Sequence, residues 1–256
     1  MKKFELTDEF IIDDFWHKLF RIKALADFGT IRAGELGGFV EKEENLSSDG
    51  NAWVYGNARV YDNAWVYGNA CVYDNARVYG NARVYGNALV SDNARVYGNA
   101  CVYDNARVYG NARVYGNALV YDNALVYGNA RVYDNARVYG NAQVYDNALV
   151  YGNALVYGNA RVYGNAQFYG NACVSGNADY AVVEGFGRYF RATTFFRCKD
   201  KILRVRCGCF YGDLAKFREI VKKTHGDSKY AKEYLAIADL MELHFSDEEG
   251  RQEATE

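Results

Sequence analysis

The chain of 256 residues has no proline and only two methionines, three tryptophans and three histidines. Without proline, every residue can donate its backbone N–H to a ladder, so a long unbroken sheet is permitted. Residues 51–178 also lack lysine, glutamate and histidine. A general base must reach the proton that it takes, and half of the chain therefore offers no imidazole for that work. No run of 18 apolar residues occurs, so a membrane-spanning helix is not expected. The N-terminus, Met1-Lys2-Lys3-Phe4-Glu5, starts basic without an apolar segment behind it, and no signal peptide is expected. Six cysteines without framework spacing suit a reducing cytoplasm better than a disulfide scaffold. A net charge of -2 is not the footprint of a general nucleic-acid binder.

What the chain does have is a period. From Asn51 to Asn177 it runs through 22 consecutive hexads of the form Asn-Ala-x-Val-Tyr-Gly or Asn-Ala-x-Val-Tyr-Asp, and the spacing never slips. A short fixed period is read before any local propensity, because it decides the fold. Ala-x-Val-Tyr alternates as a half-buried strand does. The Gly-Asn or Asp-Asn pair is turn chemistry, since Asn and Gly tolerate positive φ. Each hexad is thus a short strand and a tight corner. A lone strand of four residues is unstable, but stacked strands bury their Val and Ala columns together.

Val54-Tyr55-Gly56-Asn57-Ala58-Arg59 resembles the hexapeptide signature of left-handed parallel β-helices. The resemblance implies a mainly β fold with three hexads and 18 residues per coil, hence about seven coils. More narrowly, the chain resembles phage, prophage and gut-bacterial proteins in which Y-G-N-A-R-V runs follow an R-I-K-A-L-x-D-F-G and L-G-G-F-V-E segment. Here that segment is Arg21 to Phe28 and Leu36 to Glu41. Many hexapeptide-repeat proteins are acyltransferases with a His general base and loops that protrude from the coils. Residues 51–178 contain neither, and His17, His225 and His244 all lie in the flanks. No enzymatic activity, cofactor or metal is expected.

With 18 residues per coil, equivalent positions pile up at about 4.8 Å, and the body should be about 34 Å long. One outward face reads Trp53, Cys71, Leu89, Arg107, Leu125, Gln143 and Arg161, and a second reads Trp65, Arg83, Cys101, Leu119, Arg137, Leu155 and Cys173. The third carries Arg59, Arg77, Arg95, Arg113 and Arg131 on successive coils, beside Tyr61, Tyr79, Tyr97, Tyr115 and Tyr133. These ten residues are the candidate site. Like charges at this spacing repel by about 0.9 kcal/mol per pair in water. One resolution is structural: each guanidinium lies over a tyrosine ring, helped by corner acids such as Asp74 and Asp92. The other is functional: the column awaits an anionic ligand or a host protein, because Arg forks match phosphate and Tyr stacks on bases or sugars. Pairing of the flat faces or end caps into a homo-oligomer is a further reading, since Tyr and Arg are enriched in interface hot spots. Corner residues such as Asn57, Asn75 and Asn93 are expected to bond amide to amide along the stack.

Residues 1–50 read as an N-terminal β cap, because an open solenoid end exposes unpaired backbone. Phe20–Ala24 alternates as a strand, and Phe10–Ile12, Asp13-Asp14 and Phe15-Trp16 read as strand, turn and strand. Trp16 and Trp53 are expected to pack in the cap. The solenoid is assigned to 51–182, and a ββαα domain that caps its far end to 183–245. That domain has a hairpin around Lys199-Asp200-Lys201 and helices capped by Asp213 and Ser228. The second helix has an apolar stripe of Tyr230, Tyr234, Ile237, Leu240, Met241 and Phe245. Residues 246–256 read as a flexible acidic tail. Cys198, Cys207 and Cys209 lack zinc-knuckle spacing and are expected to be buried hairpin residues. A Cys/His225 nucleophilic pair is the enzymatic alternative.

Overall fold

The computed structural model describes residues 2–246. The expected acidic tail, from residue 247 onward, lies outside the described residues. The chain divides into two compact units between Asn177 and Ala178.

The first unit opens with β1 (Phe4–Ile12), β2 (Lys18–Ala24) and β3 (Leu36–Val40), followed by a short 3-10 turn at Glu43–Asn45. A two-residue strand then recurs every six residues, from β4 (Trp53–Val54) to β24 (Cys173–Val174). These strands form three parallel sheets in which each residue pairs with the one 18 further on, as Arg59 with Arg77 and Val60 with Val78. The expected 18-residue circuit is therefore the observed one. Three backbone bonds per hexad join successive coils: Arg59 N donates to Ala76 O (2.9 Å), Tyr61 N to Val78 O (3.1 Å) and Asn63 N to Gly80 O (2.9 Å). The Val and Ala columns are fully buried, with Phe168 replacing Val near the far end. Each buried Val contributes roughly 1.5–3 kcal/mol before entropy is charged.

Corners are closed by bonds such as Ala58 N to Tyr55 O (3.0 Å). The positive φ falls on the Gly or Asp rather than on the Asn: Gly56 sits at 58° and Asp62 at 58°. Asp tolerates this left-handed region better than most residues. Its carboxylate is also used, since Asp62 Oδ2 accepts from Gly80 N (2.9 Å) and Asp92 Oδ2 from Gly110 N (2.8 Å) one coil on. The asparagines are thereby left to bond to one another. One amide ladder joins Asn51, Asn69, Asn87, Asn105, Asn123, Asn141 and Asn159 at 3.1–3.3 Å. A second runs from Asn63 to Asn135. In the column of Asn57, Asn75 and Asn93, the amide-to-amide bonds among the described residues run from Asn111 to Asn165.

The N-terminal strands extend one sheet. β1 pairs antiparallel with β2, β2 antiparallel with β3, and β3 runs parallel to Arg59–Val60. Gly37 and Gly38 make that approach fit: a Cβ at Gly38 would stand 2.7 Å from Ala58 O, and one at Gly37 2.6 Å from Val54 O. Trp53 is fully buried as expected, edge-on to Phe4 (6.4 Å) and Phe28 (5.4 Å). Lys3 Nζ caps Ala52 O at 2.9 Å, and burial lowers the Lys3 pKa to about 8.

Trp16 is a correction. It is 86% exposed, and Phe15-Trp16 is a turn rather than a strand. The Asp13 carboxylate accepts from both Phe15 N and His17 N (each 2.9 Å), which winds the chain back and leaves Trp16 at φ 69°.

The second unit is an antiparallel sheet in the order β25 (Tyr180–Val183), β26 (Thr193–Arg197), β27 (Leu203–Cys207) and β28 (Phe210–Asp213), with α1 (Leu214–His225) and α2 (Lys229–Phe245). The expected hairpin is β26–β27, flanked by two strands that the ββαα reading lacks. Tyr180–Val183 follows the decaying hexads, so it reads as their continuation. Phe210–Asp213 is too short to carry a pattern. Both caps form, with Asp213 accepting from Lys216 N and Ser228 from Ala231 N. Phe195 and Val205 pack against Phe217, Val221, Ile237 and Met241. In α2, Tyr230 and Leu240 are exposed while Ala231 and Ala238 are buried, so the inward stripe lies beside the expected one.

Candidate functional site

The third face is built as the period requires. Arg59, Arg77, Arg95, Arg113 and Arg131 pair side by side through one sheet, followed by Leu149 and Gln167. Beside them Tyr61, Tyr79, Tyr97, Tyr115 and Tyr133 stack with ring centroids 4.8–5.0 Å apart and planes within 2°.

This stack overturns the expectation that each guanidinium lies over a ring. Both faces of an interior tyrosine are taken by the tyrosines of the neighbouring coils, because the coil spacing is close to the stacking distance of two rings. The guanidinia are therefore kept off the faces of the interior rings. For the same reason the interior rings have no face left for a base or sugar. Burial pushes the Tyr79 phenol up, the Tyr97 phenol adds to this, and the charges of Arg95, Arg113 and Arg77 pull the other way. The guanidinia thus lie within electrostatic reach of the phenol column.

The corner acids do not neutralise the column either, since Asp62, Asp92, Asp122, Asp134 and Asp146 cap glycine N–H groups one coil away. Among the described residues, Arg77 alone of the five arginines has an ion pair, to Asp14 at 3.6 Å. The cap closes this end of the face. His17 lies 4.9 Å from the Tyr61 ring, with Nδ1 3.1 Å from Asp13 Oδ2 and Nε2 3.3 Å from Asp62 Oδ1. Burial opposes the charge on His17, but the Asp13 hydrogen bond and the charges of Asp13, Asp62 and Glu41 outweigh it and raise the pKa. Arg21 lies over Phe39 at 4.4 Å and donates to Gly37 O at 2.9 Å. The accessible part of the column is accordingly Arg95, Arg113 and Arg131.

The other two faces mix Arg with Leu, Cys and Gln in register and form no continuous charge column. All six cysteines are thiols. Among the described residues, no group of three His, Cys, Asp or Glu is placed to hold a metal ion. In the second unit Cys198 is buried, Cys207 half-buried and Cys209 exposed, which corrects the expectation for Cys209. Cys207, Cys209 and His225 line one cavity. His225 lies 18 and 16 positions after the two cysteines, on a helix rather than the sheet, so no spacing rule brings the cysteines and histidine together.

Eighteen-residue register, parallel sheets and buried Val columns define a β-solenoid repeat protein. The repeat is similar to the family described as YdcK Beta solenoid repeat, matched over residues 52–68 and by overlapping copies from 70–86 to 154–168. No curated protein matches the chain.

Proposed function

We propose that this protein is a non-enzymatic scaffold that docks an acidic partner along the column Arg95, Arg113 and Arg131, with Arg59 and Arg77 nearer the cap. One observation carries the reading: five arginines stand in register on successive coils, and among the described residues only Arg77 meets a carboxylate. Such a column repels itself, and an anionic partner relieves the repulsion. The parallel pairing of successive coils fixes the spacing of the arginines.

The test is retention of the full chain on immobilised heparin and on polyglutamate as salt is raised. The double variant Arg95→Glu/Arg113→Glu should bind about tenfold more weakly or worse, with an unchanged far-ultraviolet circular dichroism spectrum. The control Arg107→Glu/Arg137→Glu reverses charges on the other two faces and should retain most of the binding. Equal elution of both variants with the wild type would sink the proposal, as would equal losses in both.

A further inference from the structure

We propose that the second unit is itself a binding module for a small organic carboxylate with an apolar body, in a cavity of about 220 Å³ between the β27–β28 turn, α1, α2 and the segment 188–191. This rests on residues unrelated to the arginine column.

The cavity follows from local packing. Cys207 and Phe210 pair across a two-residue turn, Gly208-Cys209, whose Gly208 takes φ 59°. The turn holds the sheet edge off the last turns of α1, which contribute Phe217, Ile220, Val221, Thr224 and His225 from one helical face. Tyr234 of α2 lies at the back and is only 8% exposed. Gly187 makes room there, since a Cβ at that position would stand 2.5 Å from Tyr234 Cε2.

Three features specify the occupant. The walls Phe217, Val221 and Phe210 are apolar, which suits an aromatic or branched aliphatic body. The charged lining groups are cationic: Arg188 and Arg191 line the cavity and no Asp or Glu does. Their guanidinium carbons lie 5.5 and 4.9 Å from the Tyr189 ring centre, and among the described residues neither has a carboxylate partner. Each guanidinium is a planar fork that can meet a carboxylate side-on, and the exposed Tyr189 ring packs beside both. The third feature is the Tyr234 hydroxyl. It lies 4.0 Å from Cys207 Sγ, a thiol that donates to it, while Thr193 Oγ1 donates to that sulfur at 3.2 Å. The phenol keeps its own proton, because burial raises its pKa to about 12. The Cys207 sulfur is only a weak and distant acceptor for that proton, and a ligand oxygen would be a stronger one.

Isothermal titration of the full chain with 4-phenylbutyrate tests this, beside the neutral isostere 4-phenylbutanol and phenyl phosphate. Saturable binding of one 4-phenylbutyrate per chain is expected, at least tenfold tighter than the alcohol and tighter than the phosphate. Arg188→Glu/Arg191→Glu should weaken the carboxylate at least tenfold and leave the alcohol unchanged, with no shift in melting temperature. Tyr234→Phe should weaken it severalfold, and Ile220→Trp, which fills the cavity from a half-buried position, should abolish it. Absence of carboxylate binding, equal affinity for acid and alcohol, or an unaffected Arg188→Glu/Arg191→Glu variant each overturns the proposal. Tighter binding of phenyl phosphate overturns the carboxylate assignment.

Discussion

In the solenoid, Val114 touches Val96 and Val132, the residues 18 positions to either side, and every coil repeats that relation. In the second unit Phe195 of a strand packs under Phe217 of α1 and among Tyr234, Ile237 and Met241 of α2, and no two neighbours share a spacing. Repetition makes stability a sum of similar coil-to-coil interfaces. It also stacks the constant positions of the hexad on their own kind, which yields long columns of one chemistry such as the tyrosines from Tyr79 to Tyr133. Irregular packing does the opposite: it brings a turn, two helices and a loop to one place, with unlike groups facing each other. The solenoid is thus suited to an extended partner and the second unit to a small molecule.

The largest effect that would sharpen this contrast comes from placing a charge in a buried column. Val114→Asp puts a carboxylate where no partner exists and should cost more than about 4 kcal/mol. Hydrogen exchange of the full chain should then show lost protection centred on residues 95–132, while amides of residues 193–245 keep theirs. Equal loss in both units would erase the distinction.

A smaller effect is expected from alkali, which tests the tyrosine stacks of the solenoid. Burial pushes up the phenols of Tyr67, Tyr85, Tyr103, Tyr109, Tyr115 and Tyr121, to about 12 at Tyr103. A tyrosine whose folded pKa exceeds the ordinary value of 10.0 stabilises the fold fully below that pH. The contribution is lost as pH rises through the folded value. Absorbance at 295 nm should therefore lag the usual tyrosine titration and then rise together with loss of the β-sheet circular dichroism. Ionisation near pH 10 with the sheet signal intact would break the account of the stacks.

The smallest effect belongs to the asparagine ladder. Asn105→Ala removes one bond from Asn87 and one to Asn123 on an exposed corner, and should cost about 0.5–1.5 kcal/mol in chemical denaturation. A cost above about 3 kcal/mol would mean that the ladder, rather than the Val columns, holds the coils together.

The solenoid was legible because its period leaves one variable residue per hexad, and the register of Arg59, Arg77 and Arg95 follows by addition. Both helix caps of the second unit were legible too, since Asp213 and Ser228 are local signals. Trp16 was not, because an apolar residue after two acids looks like the start of a strand unless the Asp13 carboxylate is known to bond back to the chain. The cavity of the second unit left no trace in the sequence, since Arg191, Cys207, His225 and Tyr234 meet only after the sheet and helices pack.

The amino-acid order by itself determined the repeating strand, the corners, the buried columns and which side chains share a face, because a period of six needs only nearest-coil pairing to become a structure. Tertiary structure alone decided that the tyrosines spend their faces on each other, that the corner carboxylates bind backbone rather than arginine, and that Arg188 and Arg191 line the cavity. Those outcomes depend on which of several nearby partners offers a flexible side chain the better geometry. That choice is set by ångström distances between coils and helices, which no spacing along the chain encodes.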